Sequence, residues 1–179
     1  MSEGGIYIHV PYCRNKCLYC DFYSGGLRIA DWDIYLKALF QEFDTRKNEL
    51  TFHPSTLYIG GGTPSLMPVK ILRRLTEFIR QRCKVEDWKE FTIEVNPEDV
   101  TSENCMLWKE CGVNRISLGI QSLNNEELKK IGRNHSGEEG QKACKEEQEA
   151  VAYLGRKASR SYRPGTDEQD EKGIETGFS

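Results

Sequence analysis

The sequence has no long apolar run and no strong charge of one sign. No stretch of its 179 residues approaches the ~20 apolar residues that a membrane-spanning helix needs. Residues 1–12 also lack the basic and apolar segments of a secretory signal peptide. The 25 basic and 28 acidic side chains leave a net charge of -3. We therefore expect no membrane span, and no nucleic acid or anionic membrane as a partner.

The sequence also lacks the cysteine pattern of a disulfide framework. Its seven cysteines are odd in number and unevenly spaced, whereas small secreted domains use even numbers at regular spacings. This pattern favours a reducing, cytoplasmic location. A hydrophobic content of 37% over this length is enough for one core, so we expect one main domain.

Three cysteines nevertheless lie within eight residues. Cys13, Cys17 and Cys20 have the spacing C-x-x-x-C-x-x-C, and thiolates this close suit iron-sulfur clusters or zinc better than hard cations. A structural zinc ion needs four ligands, and His9 or Asp21 would have to supply the fourth. A 4Fe-4S cluster held by three thiolates instead keeps one iron open for a cofactor. The spacing alone leaves both metals, and plain structural cysteines, as alternatives.

Strand-like and helix-like segments alternate along the chain. Runs of β-branched and aromatic residues predict strands at 6–10, 56–59, 91–95 and 115–119. Helical spacing predicts helices after an N-cap at Asp31, from Pro68, and over 101–111 before Gly112. Repeated alternation implies a parallel sheet with right-handed crossovers. We predict an α/β fold of about four β/α units, a partial parallel β/α barrel.

Polar and glycine residues follow each predicted strand. The cysteines follow the first strand, the glycine-rich segment 60–64 follows the second, Glu94 and Asn96 end the third, and Gln121 lies beyond the fourth. Taken singly, a glycine cluster is an ordinary turn and Glu94 an exposed strand end. Because the carboxyl ends of parallel strands share one edge, where ligands bind in α/β folds, these segments together predict one site.

The cysteine segment resembles the C-x-x-x-C-x-aromatic-C signature of the radical S-adenosylmethionine (SAM) superfamily, with Tyr19 as the aromatic residue. The chain from Ile6 to about Ala150 resembles the oxygen-independent coproporphyrinogen III oxidase-like branch, and within it the HemW-type haem chaperones. The segments that carry this likeness are 7–11, 20–22, 60–64, 94–97 and 132–136. Oxidases of the branch have a further cysteine where this chain has Phe22, which favours the chaperone-like group.

The resemblance implies a 4Fe-4S cluster on the three cysteines and SAM on its open iron. It places eight residues in the SAM pocket: Tyr7, Tyr19, Gly61, Gly62, Thr63, Glu94, Gln121 and Arg133. The glycines would meet the methionine end of SAM, Glu94 a ribose or amino group, and Arg133 the carboxylate, which a guanidinium binds as a fork. No catalytic residue is implied.

The resemblance also implies a haem chaperone-like protein of porphyrin and haem metabolism. Its partners would be haem or a porphyrinogen and an electron donor to the cluster, and haem would be a further bound group. One alternative is an oxygen-independent coproporphyrinogen III oxidase, which oxidatively decarboxylates its substrate. The other is an inactive truncated fragment, since relatives have two more strand-helix units and a carboxyl-terminal domain.

The end of the chain departs from the resemblance. Ser136 and Glu139 predict a capping box for another helix, but no fifth strand follows. We divide the chain into a partial radical SAM core at 1–150 and a non-matching tail at 151–179, which composition predicts to be disordered or irregular. Compensating frame changes that leave 151–163 out of frame would explain the tail. A naturally divergent terminus is the alternative.

Overall fold

The computed structural model describes residues 3–26, 31–49 and 51–157. Its strands and helices are, in chain order, β1 (Glu3–Val10), β2 (Tyr12–Cys13), β3 (Gly25–Gly26), α1 (Trp32–Arg46), β4 (His53–Gly61), α2 (Val69–Cys83), β5 (Glu90–Val95), α3 (Ser102–Glu110), β6 (Arg115–Leu118), α4 (Asn125–Lys130) and α5 (Gly137–Lys157). Short 3-10 helices lie at Lys47–Glu49, Pro64–Leu66 and Pro97–Asp99.

The main sheet has four parallel strands in the order β1-β4-β5-β6. One row of isoleucines crosses the sheet, because Ile8 pairs with Ile59, Ile59 with Ile93, and Ile93 with Ile116. Each of the four strands is followed by a helix. The prediction of an α/β fold with about four parallel β/α units is therefore confirmed.

Helices α1, α2 and α3 pack their apolar faces on the sheet. The buried face of α2 consists of Ile71, Leu72, Leu75, Thr76 and Ile79. Phe78 of the same helix stacks on Phe40 of α1, with ring centroids 3.8 Å apart. Burial of each such aliphatic side chain contributes about 1.5–3 kcal/mol, so this layer fixes the position of the strand ends.

A second, two-stranded parallel ladder was not predicted. Strand β2 pairs with β3, Tyr12 opposite Gly25 and Cys13 opposite Gly26. The pairing brings residues 25–26 back beside the first cysteine. It thereby closes the intervening cysteine loop, residues 13–24, on itself.

The predicted capping box begins α5. The Glu139 backbone N-H donates to the Ser136 hydroxyl at 3.2 Å, and the Ser136 N-H donates to the Glu139 carboxylate at 2.7 Å. Ala143 of this helix is buried in the core. The helix continues through 151–157, into the segment predicted as a non-matching tail, and residues 158–179 lie outside the described part of the chain. Within the described ranges, no helix is long and apolar enough to cross a membrane.

Candidate cofactor site

The cysteine loop lies at the carboxyl end of β1. Cys13 is buried, Cys17 and Cys20 are half-buried, and all three thiols are free. A turn inside the loop is closed by the Cys20 N-H, which donates to the Cys17 carbonyl at 3.2 Å. At its base the Gly25 N-H donates to the Pro11 carbonyl at 2.7 Å. Three unpaired thiols are thus held in one short segment.

The geometry of the loop gives no support to a single zinc ion. Among the described residues, no three or more His, Cys, Asp or Glu side chains are grouped to hold one metal ion. Both ring nitrogens of His9, one candidate for a fourth ligand, already have hydrogen-bond partners: the Tyr7 hydroxyl at 3.2 Å and the Tyr23 carbonyl at 2.9 Å. Three thiolates that each bind a different iron of a cluster need not meet at one point. In number and kind, the thiols therefore fit a 4Fe-4S cluster better than zinc.

Glu94, at the end of β5, accepts hydrogen bonds on both carboxylate oxygens. The Tyr58 hydroxyl donates to Oε1 at 2.8 Å, and the Gly61 N-H donates to Oε2 at 2.9 Å. Partial burial raises the pKa of the Tyr58 phenol, and its bond to Glu94 raises that pKa further. Tyr7, which is 57% exposed, stacks on Tyr58 with ring centroids 5.9 Å apart. The Glu94 carboxylate, a predicted site group, is thus hydrogen-bonded to the glycine turn. The exposed ring of Tyr7 lies next to its partner Tyr58.

The glycines of the turn lie against the chain that leads to Cys13. A Cβ on Gly61 would lie 2.6 Å from the His9 ring, and Gly61 has a φ of +113°. A Cβ on Gly62 would lie 2.6 Å from the Tyr12 carbonyl oxygen. The Gly62 N-H donates to the Val10 carbonyl at 2.7 Å. These glycines, predicted to admit a ligand, are therefore also required for the approach of the cysteine segment.

Thr63, the last pocket residue predicted in this turn, is buried. Its N-H donates to the Tyr12 carbonyl at 2.8 Å, which continues the pairing between the glycine turn and the segment that contains Cys13. Thr63 therefore helps to hold the cysteine segment through its backbone. Its contact with SAM stays a prediction.

Arg133 joins the cysteine loop to the end of β5. Its Nη2 donates to the Tyr19 hydroxyl at 2.9 Å, and its Nη1 donates to the Asn96 side-chain oxygen at 2.9 Å. Its Nε is buried and has no hydrogen-bond partner in the described part of the chain. Gln121 has a φ of +70°. A Cβ added to Gly119 would lie 3.4 Å from Gln121 Nε2, 3.5 Å from Asn96 Oδ1 and 3.6 Å from Arg133 Nη2. These three side chains therefore surround the same glycine.

The predicted site residues thus form two neighbouring groups at one edge of the sheet. The first contains Tyr7, Gly61 and Glu94, and the second contains Tyr19, Gln121 and Arg133. They meet at the end of β5, because Glu94 and Asn96 are two residues apart.

One partner in these groups was not predicted. Tyr58 was assigned only to a strand, whereas Asn96 was placed with Glu94 among the segments that converge on the site, although its bond to Arg133 was not foreseen. Alternation in 56–59 puts Tyr58 and Gly60 on one face of β4, and this was the one sequence signal that could have placed Tyr58 beside the glycine turn.

The profile of the radical SAM superfamily matches residues 7–153. The chain belongs to the radical SAM superfamily. The matched range contains both groups and the three cysteines. The family implies a 4Fe-4S cluster and SAM as cofactors.

Curated relatives of this radical SAM chain include haem chaperones and an oxidase. The haem chaperone HemW of Lactococcus lactis subsp. lactis is 42% identical over 135 residues, 75% of this chain and 35% of the relative. HemW of Escherichia coli is 37% identical over 145 residues, 78% of this chain and 38% of the relative. The oxygen-independent coproporphyrinogen III oxidase of Paracoccus denitrificans is 34% identical over 137 residues, 74% of this chain and 30% of the relative. The chain thus spans about a third of the length of these relatives, between 30% and 38%.

A solved structure with the same fold is the coproporphyrinogen III oxidase HemN from Escherichia coli. It superposes with a TM-score of 0.73 at 28% identity, over 83% of this chain and 34% of that one. The fold of the radical SAM chain is therefore that of the first part of a radical SAM enzyme.

Proposed function

We propose that the chain binds a 4Fe-4S cluster through Cys13, Cys17 and Cys20, and SAM along the carboxyl ends of the strands. The observation that carries the proposal is the double hydrogen bond of Arg133, to Tyr19 in the cysteine loop and to the end of β5. It ties a cation to the loop that carries the three free thiols. Such a cation suits the carboxylate of an amino acid-like ligand bound next to the loop.

The side chains at the edge supply complementary charges for SAM. Arg133 offers a buried Nε donor that no described residue uses. Glu94 already accepts two hydrogen bonds, but a carboxylate has about four lone-pair positions, so it keeps room for a ribose hydroxyl or an amino group. The exposed ring of Tyr7 adds a flat surface next to Glu94. A cation, an anion and an apolar face therefore lie along one edge, in keeping with the mixed chemistry of SAM.

The cofactors supply electron transfer and radical chemistry that protein side chains lack. The described residues position and orient the bound groups. The Glu94 carboxylate fixes the glycine turn through the Gly61 N-H, and Arg133 fixes the cysteine loop through Tyr19. Both contacts join residues of the chain itself and connect the segments that would hold the two cofactors.

For the whole activity we propose a haem chaperone-like protein of porphyrin and haem metabolism. Two HemW relatives and Phe22, in place of the additional cysteine of the oxidases, support it. Its partners would be haem or a porphyrinogen and an electron donor, in the cytoplasm. The likeness to HemN and to the Paracoccus denitrificans enzyme makes an oxidase the second candidate. An inactive protein is the third candidate.

One anaerobic experiment separates these candidates. The chain is reconstituted with iron and sulfide, and electron paramagnetic resonance (EPR) of the reduced protein is recorded with and without SAM. We expect a 4Fe-4S signal that SAM alters.

Haem titration and coproporphyrinogen III decarboxylation are then measured on the same sample. Haem binding without decarboxylation supports the chaperone, and decarboxylation supports the oxidase. If neither the cluster nor SAM binds, the proposal fails and an inactive protein is favoured.

A further inference from the structure

Asp99 links three segments of the site through one buried carboxylate. Its side chain is 9% exposed. Oδ1 accepts a hydrogen bond from Arg14 Nη2 at 3.0 Å, and Oδ2 accepts one from the Ser65 hydroxyl at 2.7 Å. Arg14 directly follows Cys13 in the cysteine loop, and Ser65 lies in the 3-10 helix after the glycine turn. A single side chain therefore connects both segments to the end of β5.

The backbone of Asp99 is itself held in place. Its N-H donates to the Asn96 carbonyl at 3.0 Å, and its carbonyl accepts from the Asn104 side-chain amide at 2.8 Å. The side chain of Asn96 accepts from Arg133. The Asp99 carboxylate thus extends from a turn anchored between β5 and α3. The same turn begins at the residue that binds Arg133.

Burial gives this contact its importance. A carboxylate removed from water is costly unless it is paired and hydrogen-bonded, and here both oxygens have a partner. The Arg14 side chain is 52% exposed, so water solvates it when the pair is broken. Loss of the carboxylate charge in Asp99→Asn should therefore loosen the loop without leaving an unpaired buried charge, whereas loss of Arg14 leaves the buried Asp99 carboxylate with Ser65 alone.

We propose that Asp99 is a positioning residue for the cofactor site. Through Arg14 it holds the beginning of the cysteine loop, and through Ser65 it holds the glycine turn, both against the end of β5. The thiols and the SAM-binding groups thereby keep a constant spacing. The inference rests on the proposed function, because the spacing matters only when a cluster and SAM share the edge. Asp99 itself bonds to Arg14 and Ser65 and not to a thiol.

The test compares Asp99→Asn with Asp44→Asn in the full chain. Asp44 is a matched control because its carboxylate also pairs with an arginine, accepting from Arg82 at 2.8 Å on each oxygen, but between α1 and α2. Two quantities are measured: amide hydrogen exchange of residues 12–20 in the metal-free protein, and the rate at which a chelator removes iron from the reconstituted cluster. For Asp99→Asn we expect both to rise about tenfold, equivalent to 1.4 kcal/mol. Asp44→Asn should match the unmodified chain.

Two substitutions of Arg14 keep the test decisive if Asp99→Asn does not fold. Arg14→Ala removes the same contact from its exposed side and should also speed exchange and iron loss. Arg14→Lys should restore slow exchange, because the pair uses one nitrogen of the guanidinium and an ammonium can replace it. Rescue by lysine distinguishes positioning by the ion pair from a general effect of substitution in the loop.

The outcomes separate this inference from the proposed function. If the cluster forms and both Asp99→Asn and Arg14→Ala match the unmodified chain, the positioning role is wrong and the proposed function stands. Exchange that rises equally in α2 also overturns the role, since it reports general destabilisation. If the unmodified chain takes up no cluster, the proposed function fails, and with it the positioning of a cluster. Exchange in the metal-free protein then still shows whether the Asp99 contact orders the loop.

Discussion

Arg133 Nη2 donates a hydrogen bond to the Tyr19 hydroxyl at 2.9 Å, which joins two segments 114 residues apart in the chain. The guanidinium carbon also lies 5.9 Å from the centroid of the Tyr19 ring. Partial burial raises the pKa of the Tyr19 phenol, while the Arg133 charge opposes that rise. The phenol therefore stays neutral at physiological pH. A ligand carboxylate that binds Arg133 would either share the guanidinium with the Tyr19 hydroxyl or take the place of that hydroxyl.

The first prediction concerns Arg133→Lys. Lysine keeps the positive charge but loses the planar fork that reaches Tyr19 and Asn96 together. We expect an unchanged cluster signal and SAM binding weaker by about 1.5–3 kcal/mol, the range for a hydrogen bond to a charged group. Anaerobic equilibrium dialysis with labelled SAM measures the affinity. Arg82→Lys is the control, because its guanidinium binds Asp44 between two helices. Unchanged affinity in a folded Arg133→Lys protein would remove Arg133 from the site.

The second prediction separates cluster ligands from core cysteines. Replacement of Cys13, Cys17 or Cys20 by Ala should abolish the EPR signal of the reconstituted protein. Cys83→Ala and Cys111→Ala should retain it. Burial raises the pKa of both control thiols, which disfavours the thiolate that a metal requires. Loss of the signal in either control would show that the ligand set is wrong.

The third prediction concerns Glu94→Gln. The carboxylate accepts from the Tyr58 hydroxyl and the Gly61 N-H, whereas an amide has one oxygen and must point its NH2 group at one of these donors. We expect SAM binding weaker by about 1–3 kcal/mol, because the amide oxygen is used by the Gly61 N-H and the negative charge that would hold a ribose hydroxyl or amino group is lost. Isothermal titration of the reconstituted protein measures this. Tyr58→Phe removes one donor and keeps the carboxylate, so it should cost less. A larger loss in Tyr58→Phe than in Glu94→Gln would contradict the role given to the carboxylate.

The placement of the site at one edge was predictable from the sequence. Alternating strands and helices imply parallel strands, and parallel strands end on the same side, so the cysteines, the glycine turn, Glu94 and Gln121 had to converge. Exact partners were not predictable. The contact between Tyr58 and Glu94 depends on the register of β4 against β5, in which Tyr58 pairs with Thr92. No pattern within either strand specifies that register.

Strand ends and short elements were also missed, for a physical reason. β1 begins at Glu3, before the predicted Ile6, although Gly4 and Gly5 have low strand propensity. Pairing with β4 extends β1 over these glycines and so outweighs propensity. The ladder of β2 with β3 is two residues long on each side, too short to show any periodicity. The start of β1 and the β2–β3 ladder therefore depend on contacts with neighbouring segments, and not on local sequence propensity.

The fourth prediction is a pH dependence of stability caused by Cys105. Burial, followed by the charges of Glu147 and Glu146, raises the pKa of this thiol from 9.0 to about 11. The folded chain therefore keeps a proton that the unfolded chain loses above pH 9. The contribution of Cys105 to the free energy of unfolding is complete below that pH and is lost as the pH rises toward 11. Urea denaturation at several pH values should show a smaller decline in Cys105→Ala. An identical decline in both proteins would contradict the assignment.

The fifth prediction concerns the glycine turn and has a control in β3, at the base of the cysteine loop. Gly61 has a φ of +113°, and an alanine Cβ there would lie 2.6 Å from the His9 ring and 3.0 Å from the Val10 carbonyl oxygen. A strained backbone of this kind costs about 1–3 kcal/mol, and displacement of His9 adds to that cost. Gly26→Ala is the control, because no heavy atom of the described residues lies within 4 Å of the added Cβ.

Urea denaturation should therefore show Gly61→Ala less stable than the unmodified chain by at least about 1–3 kcal/mol, with Gly26→Ala close to unchanged. Since the Gly61 N-H also donates to Glu94, SAM binding should weaken in Gly61→Ala even where the protein is fully folded. Normal stability and normal SAM affinity in Gly61→Ala would mean that the turn does not pack against β1 as described. Weakened SAM binding in Gly26→Ala as well would instead mean that any substitution in this region disturbs the site, and the effect at Gly61 would not be specific to its backbone.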